Sequence, residues 1–349
     1  MQEQTIKNLN SKFGMGILHS LFFLFVIGSS IWFCLAIWFQ EPINSFIAKT
    51  IIVAWFIFAI FVLLNYSNKK IISRSKSTFL YVVGFALSLI WYFSIAPLQN
   101  REWDPEVAQV LNFEKNGSLV TLHNVRDFNW RTEKDYDVHW ISRTVDLNKI
   151  KGVNVITSYW MGPQIAHTLV SFDFENSEPL TFSIEIRKEK NESFSAIGGF
   201  FRKFELSLIA SNETDIVYTR SNIRKEQVYF FPIKMPKVEM QALFEQYLDK
   251  TVDLEKNPKW YNTLTSNCTT LVFDMAQAVS KHQLPLDYRL LASGYLPNYL
   301  HDLHSIDPKW TMKEWYAHAH VNPKTKHLTA TNINQYSELI RKGLNPSQN

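Results

Sequence analysis

The chain has 349 residues, enough for several membrane spans and one sizeable domain. Its net charge of +4 at pH 7 is too small to indicate a nucleic-acid partner, and we expect none. Hydrophobic residues make up 46% of the chain, and three long apolar runs fall within the first hundred residues. The rest of the sequence has the composition of a soluble domain.

The three apolar runs extend from about Gly16 to Phe39, from about Phe46 to Leu64 and from about Thr78 to Ile95. Each is close to the ~20 residues that cross a bilayer core, so we predict three transmembrane helices. A cleaved signal peptide is the alternative for the first run. That run is too long, and no small-x-small cleavage site follows it.

The distribution of lysine and arginine predicts the orientation of the chain, because basic residues favour the cytoplasmic side of a membrane. Between the first two runs the nearest basic residue is Lys49, close to the start of the second run. The N-terminal tail and the loop between the second and third runs carry more basic residues: Lys7, Lys12, Lys69, Lys70, Arg74 and Lys76. We therefore expect a multi-pass protein of the bacterial inner membrane, with a cytoplasmic N-terminus and a periplasmic domain from Pro97 onward.

The part of the chain after the spans begins with sequences typical of strands. Segments 117–125 and 144–153 are strand-like and flank a polar loop. The strongest signal is residues 164–174, which are rich in β-branched and aromatic side chains, followed by strict alternation over 180–187. A polar turn joins these two segments, so they predict an antiparallel hairpin. Further strands are expected at the end of 191–210 and as two pieces within 215–232.

Helical patterns dominate the later part of the domain. Residues 238–254 have apolar side chains at helical spacing, and a second helix is expected to begin at Cys268. Segments 284–303 and 310–320 are predicted to form helices or ordered loops. The residues after 330 are polar and are expected to fray.

These patterns predict an α+β fold, in which the helix of Cys268 packs on an antiparallel sheet. We divide the chain into a three-helix transmembrane anchor (1–96), a juxtamembrane linker with the first strands (97–124), an extracytoplasmic domain (125–330) and a polar C-terminal tail (331–349).

Cys268 is the best candidate for a reactive group. Cys34 lies within the first apolar run and cannot pair with it, so Cys268 is a lone thiol in a compartment expected to be oxidising. A helix start capped by Ser266 or Asn267 would lower its pKa and could supply N–H groups for an oxyanion. The alternative is a small buried cysteine without a chemical role.

His167, in the first strand of the hairpin, is the best candidate base among the ten histidines. Glu185 or Arg187 would lie beside it across the hairpin, depending on the register, and a carboxylate there could hold the imidazole in one tautomer. Asp173 is a weaker candidate for this role. The alternatives are a hydrogen-bonded core histidine and a Glu185 that faces solvent and pairs with Arg187.

His318 and His320 are two residues apart, a poor spacing for ligands on a helix face, and no carboxylate–histidine pattern completes them. We therefore expect no metal ion and no cofactor.

Four blocks in the order IAHTLVSFDF, LTFSIEIRKE, DIVYTRSNIRKEQVYFFP and YNTLTSNCTT resemble the Lnb-type N-terminal periplasmic domain family. The resemblance covers roughly residues 125–300. It implies a papain-like, NlpC-type thiol enzyme fold in permuted order, in which the histidine strand precedes the cysteine helix. It also implies that Cys268 is the nucleophile, His167 the base and Glu185 the orienting group. The motif residues with substrate-binding or structural roles would be Asn267, Thr269, Arg187 and Arg220.

Related permuted enzymes act on lipid acyl groups, and the Lnb family is associated with lipoprotein N-acylation in bacteria. The resemblance therefore implies a periplasmic cysteine acyltransferase that forms a thioester, with membrane lipids and lipoprotein N-termini as partners. In Lnb itself the membrane helices follow the domain, whereas here they precede it. Two alternatives remain: a papain-like amidase or peptidase acting on cell-wall peptides, and a non-catalytic binding module tethered to the membrane.

Overall fold

The computed structural model describes residues 2–68 and 71–344, with side chains from residue 16 onward. The chain divides into two compact units, Met1–Pro97 with Phe201–Lys203, and Leu98–Phe200 with Phe204–Asn349. Lys69 and Lys70, which contribute to the predicted orientation, lie outside the described residues, as do residues 345–349 of the predicted tail.

The first unit contains three helices that are long and apolar enough to cross a membrane: α1 (Gln2–Gln40), α2 (Ser45–Asn68) and α3 (Arg74–Ser94). The apolar part of α1 begins at Gly16. Mean hydropathy reaches 2.3, 2.6 and 1.5 in the three segments, which contain 25, 24 and 21 residues. Each is long enough for the hydrocarbon core of a bilayer. The prediction of three long apolar helices is therefore confirmed.

The second unit is built around a sheet that is antiparallel except where β2 and β9 pair. Its strands are β1 (Asn112–Asn116), β2 (Leu119–Arg126), β5 (Trp140–Asp146), β6 (Ile150–Tyr159), β7 (His167–Phe174), β8 (Leu180–Arg187), β9 (Glu205–Ser211) and β10 (Gln227–Ile233). Among the described residues, the order is β1-β2-β9-β8-β7-β6-β10, with β5 on β2. Two short strands, β3 (Asn129–Trp130) and β4 (Tyr136–Asp137), pair separately.

One face of the sheet is covered by two helices, α5 (Lys237–Lys256) and α6 (Cys268–Val279). Phe244 and Tyr247 of α5 pack against aromatic side chains of β7 and β8, with the Tyr247 ring stacked on Phe182 at 4.5 Å between centroids. Alternate residues of the same strands therefore enter this core, as a period of two requires.

The opposite face carries a second core. The helices of the second unit not yet described are α4 (Glu213–Tyr218), α7 (Leu296–Asp302), α8 (Met312–Ala319), α9 (Val321–Thr325) and α10 (Tyr336–Arg341). Trp315 and Tyr336 are fully buried in this core, in the same cluster as Leu169 of β7 and Ile209 of β9. The α+β class is thus confirmed.

The hairpin of β7 and β8 forms as predicted, but the strand predicted over 144–153 is divided in two. A single 3₁₀ turn at Leu147–Lys149 separates β5 from β6. Asp146 Oδ1 accepts a hydrogen bond from the Asn148 N–H at 2.9 Å and begins this turn. Aspartate favours such a local bond over the ladder of a continuous strand.

The first strand predicted within 215–232 is wrong, because those residues form α4 and then a π-helical turn at Thr219–Ile223. The reason is the fully buried carboxylate of Asp215. It accepts hydrogen bonds of 2.7 to 3.0 Å from Arg126, the Phe128 N–H and Trp130 Nε1. These tertiary contacts outweigh the β propensity of the neighbouring branched side chains.

The prediction of a frayed polar tail is also wrong within residues 331–344. Tyr336 and Ile340 of α10 are fully buried. Arg341 donates hydrogen bonds to Asp173 and to both carboxylate oxygens of Glu213. This short amphipathic helix is flanked by polar residues, which obscure its apolar side in the sequence.

Candidate active site

Cys268 is the first residue of α6, and Asn267 caps the helix. The Asn267 Oδ1 accepts hydrogen bonds from the N–H groups of Thr269 and Thr270 at 2.8 and 2.9 Å. Thr270 Oγ1 in turn accepts a hydrogen bond from the Asn267 N–H at 3.0 Å, which completes a capping box. The thiol is therefore fixed at the positive end of the helix dipole.

The start of β7 lies directly against this thiol. The Thr168 N–H donates a hydrogen bond to Cys268 Sγ at 3.5 Å, and Thr168 Oγ1 lies 2.8 Å from Thr269 Oγ1. His167, the preceding residue, is buried and interacts with the thiol. The structure therefore brings the predicted nucleophile and the predicted base together.

The register of the hairpin decides which residue lies across from His167. Leu169 pairs with Ser183, and continuing this register by two residues places Glu185 opposite His167. His167 Nε2 lies 3.2 Å from Glu185 Oε1. Glu185 therefore occupies the position of the orienting group.

The contacts of Ser183 indicate which nitrogen of the His167 imidazole carries a hydrogen. Its hydroxyl donates to Glu185 Oε1 at 2.7 Å, and its Oγ lies 2.7 Å from His167 Nε2. A serine hydroxyl has a single hydrogen, which the carboxylate already uses. The contact with the imidazole therefore requires a hydrogen on Nε2. Nδ1 is left as the nitrogen that can take a proton from the thiol.

Arg220 holds the same carboxylate from the other side. It lies in the π-helical turn, and its Nη2 donates to Glu185 Oε1 at 2.7 Å. Its Nη1 lies 3.4 Å from Glu226 Oε2, and Ser158 also donates to that oxygen. Glu185 and Glu226, whose side chains are 17% and 10% exposed, thus share one guanidinium.

The charges of the site favour an ion pair. Burial opposes ionisation of Cys268, but the charge of His167, its contact with the thiol and the Thr168 N–H lower the pKa of Cys268. Burial and Arg220 oppose protonation of His167, yet Glu185 and Cys268 raise its pKa to about 9. Burial also opposes ionisation of Glu185, but His167 and Arg220 hold its pKa well below its usual range. These shifts favour a thiolate on Cys268 paired with an imidazolium on His167.

A cavity of about 540 Å³ opens onto Cys268, His167, Glu185 and Arg220. Apolar side chains form part of its wall: Trp160, Met161, Ile165, Ile184, Phe194 and Leu291. Charged groups, among them Lys134, Lys188 and Arg224, also line it. This volume can hold a small organic group or part of a lipid chain.

A family model described as the Lnb N-terminal periplasmic domain matches residues 136–294. This segment of the chain is similar to Lnb-type domains. The predicted resemblance is thus confirmed over a segment that includes Cys268, His167 and Glu185. No curated protein and no solved structure matches the chain significantly. A periplasmic domain family and three apolar helices together indicate a membrane-anchored protein with a periplasmic domain.

Within the segment that the family model matches, two predicted residues lie away from the thiol. Arg187 donates hydrogen bonds to the carbonyls of Val107 and Ala108 and to Gln99 Oε1. Asp173 lies at the opposite end of β7 from His167, where it binds Arg341. Arg187 therefore joins the strand to the N-terminal part of the domain. Asp173 is excluded as the orienting group.

The histidines near the C-terminus have other partners. The ring of His318 stacks on Trp310 at 4.1 Å, and His320 Nε2 lies 2.9 Å from Gln227 Oε1. Among the described residues, no group of three or more His, Cys, Asp and Glu side chains is placed to hold a metal ion.

Two residues of the candidate site were not predicted from the sequence. Ser183 precedes Glu185 by two positions on a strictly alternating strand, so the period of two placed it correctly but did not reveal its role. Tyr261 lines the cavity, and burial, Cys268 and Glu185 raise the pKa of its phenol. It precedes the cysteine by seven residues in a loop, for which no sequence period predicts a position.

Proposed function

We propose that this protein is a membrane-anchored periplasmic cysteine acyltransferase that takes an acyl group from a phospholipid and passes it on through a thioester. The observation that carries the proposal is the Cys268 thiol at a helix start, paired with a His167 that Glu185 orients, in a cavity with apolar walls. Such a set is typical of nucleophilic acyl transfer. The order of histidine strand and cysteine helix also supports a permuted papain-like arrangement.

In the first step, the Cys268 thiolate attacks the carbonyl carbon of the ester and forms a tetrahedral intermediate. The C–O bond then breaks, and the imidazolium of His167 protonates the departing alkoxide, which leaves as a lysophospholipid. Glu185 and Ser183 keep Nε2 protonated throughout, so Nδ1 is the nitrogen that gives up its proton.

In the second step, an amine attacks the thioester. The neutral Nδ1 of His167 takes the proton of the amine, the C–S bond breaks, and the thiolate–imidazolium pair is restored. The N-terminus of a lipoprotein fits as the acceptor because it combines an amine with a location at the membrane. Water as acceptor would make the same site a hydrolase.

The helix start limits which groups can stabilise the oxyanion. The N–H groups of Thr269 and Thr270 are bound to Asn267 Oδ1 and do not point at a substrate. Tyr261 lines the same cavity, and its raised pKa keeps the phenol protonated, so its hydroxyl is a candidate hydrogen-bond donor to the oxyanion.

The test is intact-mass analysis of the full chain after incubation with phospholipid vesicles. We expect an added acyl mass on the wild type and on Cys34→Ala, and none on Cys268→Ala. Cys34→Ala is the matched control because it removes the other cysteine of the chain. An adduct that persists in Cys268→Ala would contradict the proposal. So would the absence of an adduct on the wild type at every lipid class and pH tested.

A peptide amidase is the second candidate, and the charged side chains that line the cavity favour it. It would use the same thiolate and imidazole on an amide carbonyl. Incubation with cell-wall stem peptides separates the two candidates: cleavage without a lipid adduct supports the amidase, and a lipid adduct without cleavage supports the acyltransferase.

A further inference from the structure

Five large apolar side chains surround the mouth of the catalytic cavity and remain exposed to solvent. These rim residues are Trp160, Met161, Ile165, Phe194 and Leu291, and each is between 40% and 58% exposed. Exposed apolar residues scattered singly over a surface are common, but a group around one opening is a mark of an interaction site.

The rim residues come from three separate loops. Trp160, Met161 and Ile165 lie between β6 and β7, Phe194 lies between β8 and β9, and Leu291 follows a 3₁₀ turn after α6. The Trp160 and Phe194 rings are in edge-to-face contact, with centroids 6.3 Å apart, so two of the loops meet at the opening. Folding of the described residues leaves these side chains exposed although they frame the thiol.

The connection between the third apolar helix and the second unit is short, which favours a membrane as the partner of the rim residues. The third apolar helix ends at Ser94, and the second unit begins at Leu98, so Ile95, Ala96 and Pro97 are the only residues between them. An extended chain spans at most about 3.5 Å per residue. Where the helix ends at a membrane surface, the attachment point of the domain therefore lies within about 15 Å of it.

We propose that the rim residues form a docking surface for a phospholipid bilayer, which places the mouth of the cavity in the membrane interface. Trp and Phe side chains favour the interface, and aliphatic Met, Ile and Leu enter the acyl boundary. A lipid can then move from the bilayer to Cys268 without its chains crossing water. The inference deepens the proposed acyltransferase function and names its substrate surface.

The test measures the depth of each residue in a membrane by fluorescence. The full chain carries Cys34→Ala and Cys268→Ala, and a single cysteine is introduced by Met161→Cys or Phe194→Cys and labelled with an environment-sensitive dye. The protein is reconstituted into phosphatidylethanolamine–phosphatidylglycerol vesicles, with or without spin-labelled phosphatidylcholine as a quencher. Control labels are placed by Leu119→Cys and Val238→Cys, at apolar residues that are 48% and 72% exposed and do not line the cavity.

We expect the two rim labels to shift to shorter wavelength and to lose fluorescence in quencher vesicles, while the control labels do neither. Equal quenching at rim and control positions, or none at the rim, overturns the proposal. A rim shift that grows with protein density and is not quenched by lipid indicates a second copy as the occupant and also overturns it. Because Cys268 is absent from these variants, the outcome is independent of thioester formation.

Discussion

The Oγ of Ser183 lies 2.7 Å from His167 Nε2, in a contact to which only the imidazole can contribute the hydrogen. The serine is thus an acceptor for His167 and a donor to Glu185, and it fixes the tautomer from which the site works. This relationship makes the reactivity of the thiol dependent on a residue that does not touch it.

Ser183→Ala should slow alkylation of Cys268 by iodoacetamide about two- to tenfold at pH 7, the equivalent of one lost hydrogen bond. The measurement is the second-order rate in a Cys34→Ala background, where Cys268 is the thiol that remains. Ser171→Ala is the matched control, because it removes another buried serine–glutamate bond, to Glu213, without contacting the imidazole. An equal effect of both substitutions would contradict this role for Ser183.

The charge of Glu185 should affect how the rate of Cys268 alkylation depends on pH. In the wild type we expect alkylation by thiolate at lower pH than for an ordinary cysteine, because the pKa of Cys268 is lowered. We also expect a change in rate near pH 9, where His167 loses its proton. Glu185→Gln removes the carboxylate that raises the pKa of His167, so this transition moves to lower pH.

The same substitution should raise the pKa of Cys268, because the thiolate loses an imidazolium that stabilises it more than Glu185 repels it. Each unit of pKa change corresponds to about tenfold less thiolate below the transition. Glu205→Gln alters a buried carboxylate on β9 and should leave the profile unchanged. A Glu185→Gln profile that overlays the wild type would exclude the orienting role.

Substitution of Arg220 and substitution of Arg187 should have different effects on the alkylation profile of Cys268. Arg220→Met removes the guanidinium that Glu185 and Glu226 share, and loss of one partner of a buried ion pair costs about 3–5 kcal/mol. It also removes a charge that lowers the pKa of His167, so the transition near pH 9 should move to higher pH.

Arg187→Met should destabilise the domain by about 1–3 kcal/mol through unpaired carbonyls, without changing the alkylation profile. Thermal unfolding and alkylation of the detergent-solubilised chain measure both quantities. A shifted alkylation profile for Arg187→Met would show that this residue acts on the site.

Two substitutions of Asn267 should distinguish the effect of helix capping on stability from the effect of charge on the pKa of Cys268. Asn267→Ala removes the acceptor for two N–H groups and should cost about 1 kcal/mol of stability. Asn267→Asp keeps the acceptor but places a negative charge beside the thiolate, so it should retain the stability and raise the pKa of Cys268. Unfolding and alkylation profiles of the two variants check this, and a lowered pKa in Asn267→Asp would contradict it.

The local features of the fold were accessible from the sequence because they follow simple periods. Alternation gave the hairpin of β7 and β8, and the i, i+3, i+4 spacing gave α5. A cap residue followed by an apolar stripe placed Cys268 at the start of α6. The proximity of Cys268 and His167 came from the resemblance, since 100 residues separate the two.

The features that were missed depend on contacts between distant segments. Asp215 makes residues 213–218 helical by binding Arg126 and Trp130, which come more than eighty residues earlier. The same is true of the order of the strands, in which β9 lies between β2 and β8. No local period records such pairings, so propensity alone assigned a strand where the structure has a helix.

The contacts of Arg341 have a consequence for the order in which the domain is assembled. This residue binds Asp173 on the strand of His167 and Glu213 on the helix that leads into Arg220. It follows Asp173 by 168 residues and Glu213 by 128 residues in the sequence. We therefore expect the sheet and the π-helical turn to reach their final positions only after the segment that carries Arg341 has packed against them. Until then we expect Cys268 to lack its contact with His167 and to have the reactivity of an ordinary thiol.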